Sequence, residues 1–112
     1  MIQITLIVDG RSRTYAAAEV CMRTSLEAYR LFREYSAAGG DYSDDLLARC
    51  ASFVCGCFGD VFTVDQLLDG YQGSAFALYP SLLNAVVGYV HDKIVNFPEP
   101  AAPATEAATP AN

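Results

Sequence analysis

Residues 57–71 read CFGDVFTVDQLLDGY, and this stretch decides how the chain folds. Phe58-Gly59 closes one apolar helical pattern, Thr63 opens the next, and Gly70 stops it again. Thr63 and Gln66 stand at the spacing of a capping box, in which the threonine oxygen accepts a backbone N–H and the glutamine reaches back. Phe62, just before the cap, is placed to pack as a staple against Leu67. The stretch holds no obvious nucleophile, general base or metal cage. It describes a compact helical domain.

Upstream, Ser43 is an N-cap, and Asp44 and Asp45 follow where acids favour the positive end of the helix dipole. Leu46, Cys50, Phe53 and Cys57 then form one apolar stripe, which Leu47, Val54 and Phe58 widen. An earlier helix is predicted from about Ala18 to Ala38-Gly39-Gly40, with Val20, Leu26, Tyr29, Phe32 and Tyr35 near helical spacing. A glycine at its end accepts the left-handed conformation that a β-carbon penalises. The chain opens with alternation: Ile2, Ile4, Leu6 and Val8 alternate with Gln3, Thr5 and Asp9, with Ile7 as the exception, the period of a half-buried strand. Asp9-Gly10 supplies a tight hairpin turn, and Arg13, Thr14 and Tyr15 a short return strand.

Downstream, Ser74 caps a last helix predicted to run to about Val95, carrying Leu78, Leu82, Leu83, Val86, Val87, Val90 and Ile94. Pro80 either opens that helix or sits inside it and removes one backbone bond. After Phe97 the composition collapses to PEPAAPATEAATPAN, rich in proline, alanine and threonine, which buries too little surface to offset ordering entropy. The expectation is a domain over residues 1–96 and a disordered tail or linker over 97–112. The fold class is α+β, an N-terminal β-hairpin packed on a small bundle of about four α-helices.

With 112 residues, 53% apolar and 18% charged, one domain with a real core is expected. A formal net charge of −6 opposes nucleic-acid binding, which needs a basic footprint to displace counterions. No apolar run approaches the ~18 residues of a membrane helix. The start lacks the basic flank and cleavage pattern of a signal peptide, so a cytoplasmic location is expected.

The candidate chemistry is thin. Cys50 and Cys57 read as small core hydrophobes, and Cys55-Gly56-Cys57 has neither zinc-knuckle nor thioredoxin spacing. Asp60, Asp65 and Asp69 form the strongest acidic cluster, but calcium loops need tighter alternation around a central glycine. His91, the only histidine, lies late in the last predicted helix beside Asp92 and Lys93, where a solvated helix-end residue is the plain reading. No catalytic residue, metal ligand or cofactor site is assigned, and there is no glycine-rich phosphate loop. Arg23, Arg30 and Arg33 face Glu19, Glu27 and Glu34 in possible surface pairs, or form a partner-binding strip.

Taken in order, these elements resemble the small tail assembly chaperones of long, non-contractile-tailed bacteriophages, the lambda G protein-like group. The signature is Phe58, Gly59, Phe62, Thr63, Asp65, Leu67, Asp69 and Gly70, followed by Leu82-Leu83. The resemblance implies a non-enzymatic protein that binds the tape-measure protein, keeps it soluble and recruits tail-tube subunits. It implies work in the host cytoplasm, absence from the mature virion, and a longer product of ribosomal frameshifting for which the tail would serve as linker. The alternative is a virion structural protein, a tail-completion or head–tail connector component. Tyr79, Leu83, Val87 and Tyr89 on the last helix are the candidate partner-binding residues, and self-association is expected through that helix or the edge of the hairpin.

Overall fold

The computed structural model describes residues 1–98. The expected tail from residue 99 onward lies outside the described residues. Strand β1 (Ile2–Val8) turns at Asp9-Gly10 into β2 (Arg11–Ala17), with paired positions running from Val8 with Arg11 to Ile2 with Ala17. Both turn residues have positive φ, 52° and 75°, as a two-residue turn matched to strand twist requires. The return strand is thus seven residues long and exceeds the Arg13–Tyr15 core expected from sequence.

Four helices follow: α1 (Met22–Ala37), α2 (Asp44–Cys57), α3 (Val64–Gly70) and α4 (Ala75–Val87). Strand β3 (Val95–Phe97) then pairs parallel to β1, opposite Ile2 to Ile4, so the hairpin becomes a three-stranded sheet in the order β2-β1-β3. The same sheet is bridged at Leu6 by Tyr71, just after α3.

The core is built as the alternation dictates. Ile2, Ile4, Leu6 and Val8 are buried on the inner face of β1, while Thr5 and Thr14 meet through their hydroxyls at 2.9 Å on the outer one. Above them lie Ala28, Leu31 and Tyr35 of α1, five residues of α2 and Leu78, Tyr79, Leu82, Leu83 and Val86 of α4. No charged side chain is buried among the described residues.

The helix ends follow the residues quoted first. Phe58 caps α2, Gly59 takes φ 74°, and the N–H groups of Gly59 and Asp60 donate to the carbonyls of Gly56 and Cys55 at 3.0 and 2.9 Å. That is the two-bond Schellman closure. Thr63 Oγ1 accepts from the Gln66 N–H at 3.1 Å, and Gln66 Oε1 accepts from the Thr63 N–H at 2.9 Å, completing the capping box.

Three expectations are corrected. Helix α1 begins at Met22, and its buried face is Ala28, Leu31 and Tyr35; Leu26 and Tyr29 are each 48% exposed. Helix α4 ends at Val87 because the chain turns after Gly88 to bring Val95–Phe97 onto β1. Val90 and Ile94 are therefore exposed, and His91 sits in a turn beyond the helix. Phe97, assigned to the tail, is a buried core residue, so the ordered domain passes the expected boundary at residue 96. Pro80 lies inside α4; the carbonyl it leaves without a helical donor belongs to Phe76, which is exposed.

Candidate functional site

Helix α1 has two apolar stripes on opposite sides. One, through Ala28, Leu31 and Tyr35, faces the core, where the helix packs chiefly against α4. The other is Met22, Leu26 and Tyr29, at spacings of four and three, and it faces outward; Met22 is 79% exposed. Residues four and three apart on a helix share a face, so these side chains make one continuous ridge. Arg33 continues it: its guanidinium lies 5.7 Å from the centre of the Tyr29 ring, in cation–π range. Arg23 and Arg30 border the ridge by their helical position.

Between α1 and α2 runs an open groove of about 550 Å³, with Leu31, Phe53, Gly56 and Cys57 among its lining and Glu27, Arg30, Glu34 and Arg49 as its charged groups. Arg49 grips Glu34 with both terminal nitrogens at 2.9 and 2.8 Å and turns its Nε to Asp45 at 3.0 Å. The Arg49 guanidinium holds the Glu34 carboxyl below its ordinary range, and Glu34 in turn raises Arg49. These side chains are 45% to 81% exposed, so both are surface ion pairs that solvent screens and that contribute little to stability. Glu34 thus serves α2, and among the described residues no acid forms an ion pair with Arg23, Arg30 or Arg33.

The charge of the chain is unevenly placed. Five of the seven basic residues (Arg11, Arg13, Arg23, Arg30, Arg33) precede residue 34, but only three of the thirteen acids do (Asp9, Glu19, Glu27). An acidic protein therefore presents its cations on the hairpin and on α1.

All four cysteines are free. Burial pushes Cys57 up to about 11 and also raises Cys50 and Cys55, which keeps them neutral near pH 7. Cys21 is exposed, with its sulfur 3.3 Å from the Thr24 hydroxyl, a contact that lowers it. Among the described residues no three His, Cys, Asp or Glu side chains converge to hold a metal ion. No described helix is long and apolar enough to cross a membrane.

A family described as phage tail chaperone protein matches residues 1–96. The chain belongs to that family. No curated protein and no solved structure gives a match. Membership implies a chaperone's role in place of an enzyme's and points to tail proteins in general as partners.

The signature residues are structural parts of this chaperone fold. Phe58 and Phe62 are buried with ring centres 5.7 Å apart, and Phe62 also meets Tyr15 of β2 at 5.0 Å. Leu67 is buried, Asp65 lies in the first turn of α3, and Asp69 is exposed. Gly70 is forced by its neighbour: a β-carbon there would sit 2.5 Å from the carbonyl oxygen of Ile7 in β1.

Among the proposed partner-binding residues, Tyr79 and Leu83 are buried in the core, which removes them from any surface. Helical spacing alone does not show that α1 and β3 pack against this helix. Val87 is exposed, and Tyr89 is half-buried with its hydroxyl donating to the Ala18 carbonyl. Helical spacing does not reveal the outward ridge of α1, because it groups Leu26 and Tyr29 with Phe32 and Tyr35 without saying which of them face the core. The signal was present: the sixteen residues of α1 carry more apolar positions than one buried face can hold. A second exposed apolar group, Val87, Val90 and Ile94, lies at and beyond the end of α4.

Proposed function

We propose that this tail chaperone binds the tape-measure protein, keeps its apolar helices soluble and helps recruit tail-tube subunits during tail morphogenesis. Family membership supports the general role. The observation that carries client binding is the exposed apolar ridge on α1, where Met22, Leu26 and Tyr29 follow at helical spacing and stand open to solvent among the described residues. Contiguous exposed apolar surface rimmed by polar groups is the usual mark of a protein-binding face. A client helix laid along such a ridge buries its own apolar stripe reversibly, the physical requirement for a holding chaperone.

The reading includes work in the host cytoplasm, absence from the mature virion, and a longer frameshifted product that extends the chain towards the tube protein. Co-expression with the tape-measure protein tests it. The expected outcome is a shift of the tape measure from the pellet to the soluble fraction, with the two proteins co-purifying. Unchanged aggregation would remove the mechanism. Peptide mapping of purified virions checks location, because detection of this chain there would favour a tail-completion or connector component.

A further inference from the structure

We propose that the outward face of α1, from Met22 to Arg33, is the client-docking seam and that its occupant is an apolar helix flanked by acidic residues. This deepens the client-binding reading and rests on it for the identity of the client.

The spacing comes first. Met22, Leu26, Tyr29 and Arg33 follow at steps of four, three and four, the alternation that keeps one stripe of a helix against a second helix. Three turns of this seam extend about 17 Å at the α-helical rise. The apolar residues supply adhesion without direction, since burial acts in proportion to area. Direction comes from charge.

Arg23, Arg30 and Arg33 border the seam and form no ion pair among the described residues. Arg33 is held beside it by the Tyr29 ring. The neighbouring groove between α1 and α2 is different, because Arg49 already engages Glu34 and Asp45 there. Glu27 lies one turn from both Arg23 and Arg30 on the groove side without pairing with either, so the seam edge carries three arginines against one carboxylate, on a protein whose net charge is −6.

A second copy of the chain fits poorly. Antiparallel pairing of two α1 seams brings Arg23 of one copy towards Arg33 of the other, and parallel pairing sets each arginine near its own counterpart. Like charges across an interface are penalised, whereas carboxylates flanking a client stripe would pair with all three arginines. Arginine also matches carboxylates with two parallel hydrogen bonds, which fixes register.

The test uses the full chain and two synthetic helical peptides that share one apolar seam, flanked by glutamate in one and by lysine in the other. Fluorescence anisotropy at low salt should show the glutamate peptide binding at least about tenfold tighter. In about 1 M salt, where the screening length is about 3 Å, the two should converge. Arg30→Glu with Arg33→Glu should reverse the preference, and Leu26→Asp should weaken the glutamate peptide at least about tenfold. Both variants alter exposed or half-exposed side chains, and the arginine pair stays informative whatever the aspartate does to folding.

Equal affinity for the two peptides, or unchanged binding by both variants, would overturn the proposal. So would a dimer of the wild-type chain that Leu26→Asp dissolves, since the occupant would then be a second copy. Co-expression separates the two levels. If the wild type solubilises the tape measure and both variants do so equally well, the seam is wrong and the chaperone reading stands. If the wild type fails while the peptide pattern holds, the seam stands and the tape measure is not its client.

Discussion

Two glycines in helices of this protein have opposite reasons for being there. At Gly70 a β-carbon would meet the Ile7 carbonyl oxygen at 2.5 Å, with the Ile7 nitrogen at 3.2 Å, so α3 ends pressed against the backbone of β1. At Gly56, inside α2, nothing lies within 4 Å of the same methyl group. Alanine is favoured over glycine in a helix by about 1 kcal/mol, so the two sites separate helix propensity from packing. Gly56→Ala should raise stability by about 0.5–1 kcal/mol. Gly70→Ala should lower it by about 1–3 kcal/mol, because strand backbone cannot yield as a flexible side chain can. Urea unfolding midpoints of the two variants check both signs. From the sequence, Gly70 was legible only as the place where a helix stops. Its close approach to β1 depends on a residue sixty-three positions earlier, which no local pattern shows.

Among elements, the caps were legible and the orientation of α1 was not. Thr63 with Gln66 and Ser43 with Leu46 make the bonds their residue types announce, since a cap involves groups within four positions. Helix α1 offered two apolar stripes, and hydrophobicity alone favoured Leu26 and Tyr29 over Ala28. The fold chose the stripe with the small residue, which admits close approach of a neighbouring helix, and left the larger side chains outside. The same helix is tied to α2 by Arg49 and Glu34. Because that pairing depresses the folded value of Glu34, its contribution is present above the ordinary carboxylate range and is lost as pH falls through the folded value. Glu34→Gln should therefore lower the melting temperature slightly near about pH 7, and the difference should shrink as the pH falls below the ordinary carboxylate value of about 4. A difference that persists unchanged in acid would assign Glu34 some role other than the ion pair.

For the molecule as a whole, β3 decides where the domain ends. Phe97 is buried against the core, and its strand completes the sheet on the side of β1 opposite the hairpin. Phe97→Ala should cost about 3–5 kcal/mol, a large share of the roughly 5–15 kcal/mol that holds a domain of this size together. Thermal unfolding measures it, and a loss below about 1 kcal/mol would mean that β3 contributes little. The strand was invisible in the sequence: three residues beside a proline-rich run are too short for a period, and β1 recruits them from more than ninety positions away.

The sequence by itself determined the hairpin, the four helices, their caps and the family, because alternation, helical spacing and capping are written in residues near one another. Tertiary structure alone decided which stripe of α1 is core, why Gly70 cannot carry a side chain, that Tyr79 and Leu83 are covered, and that Phe97 belongs to the sheet. The physical reason is shared. An apolar residue is buried only if some distant element arrives to cover it, and burial is therefore a property of pairs of elements that no single stretch contains.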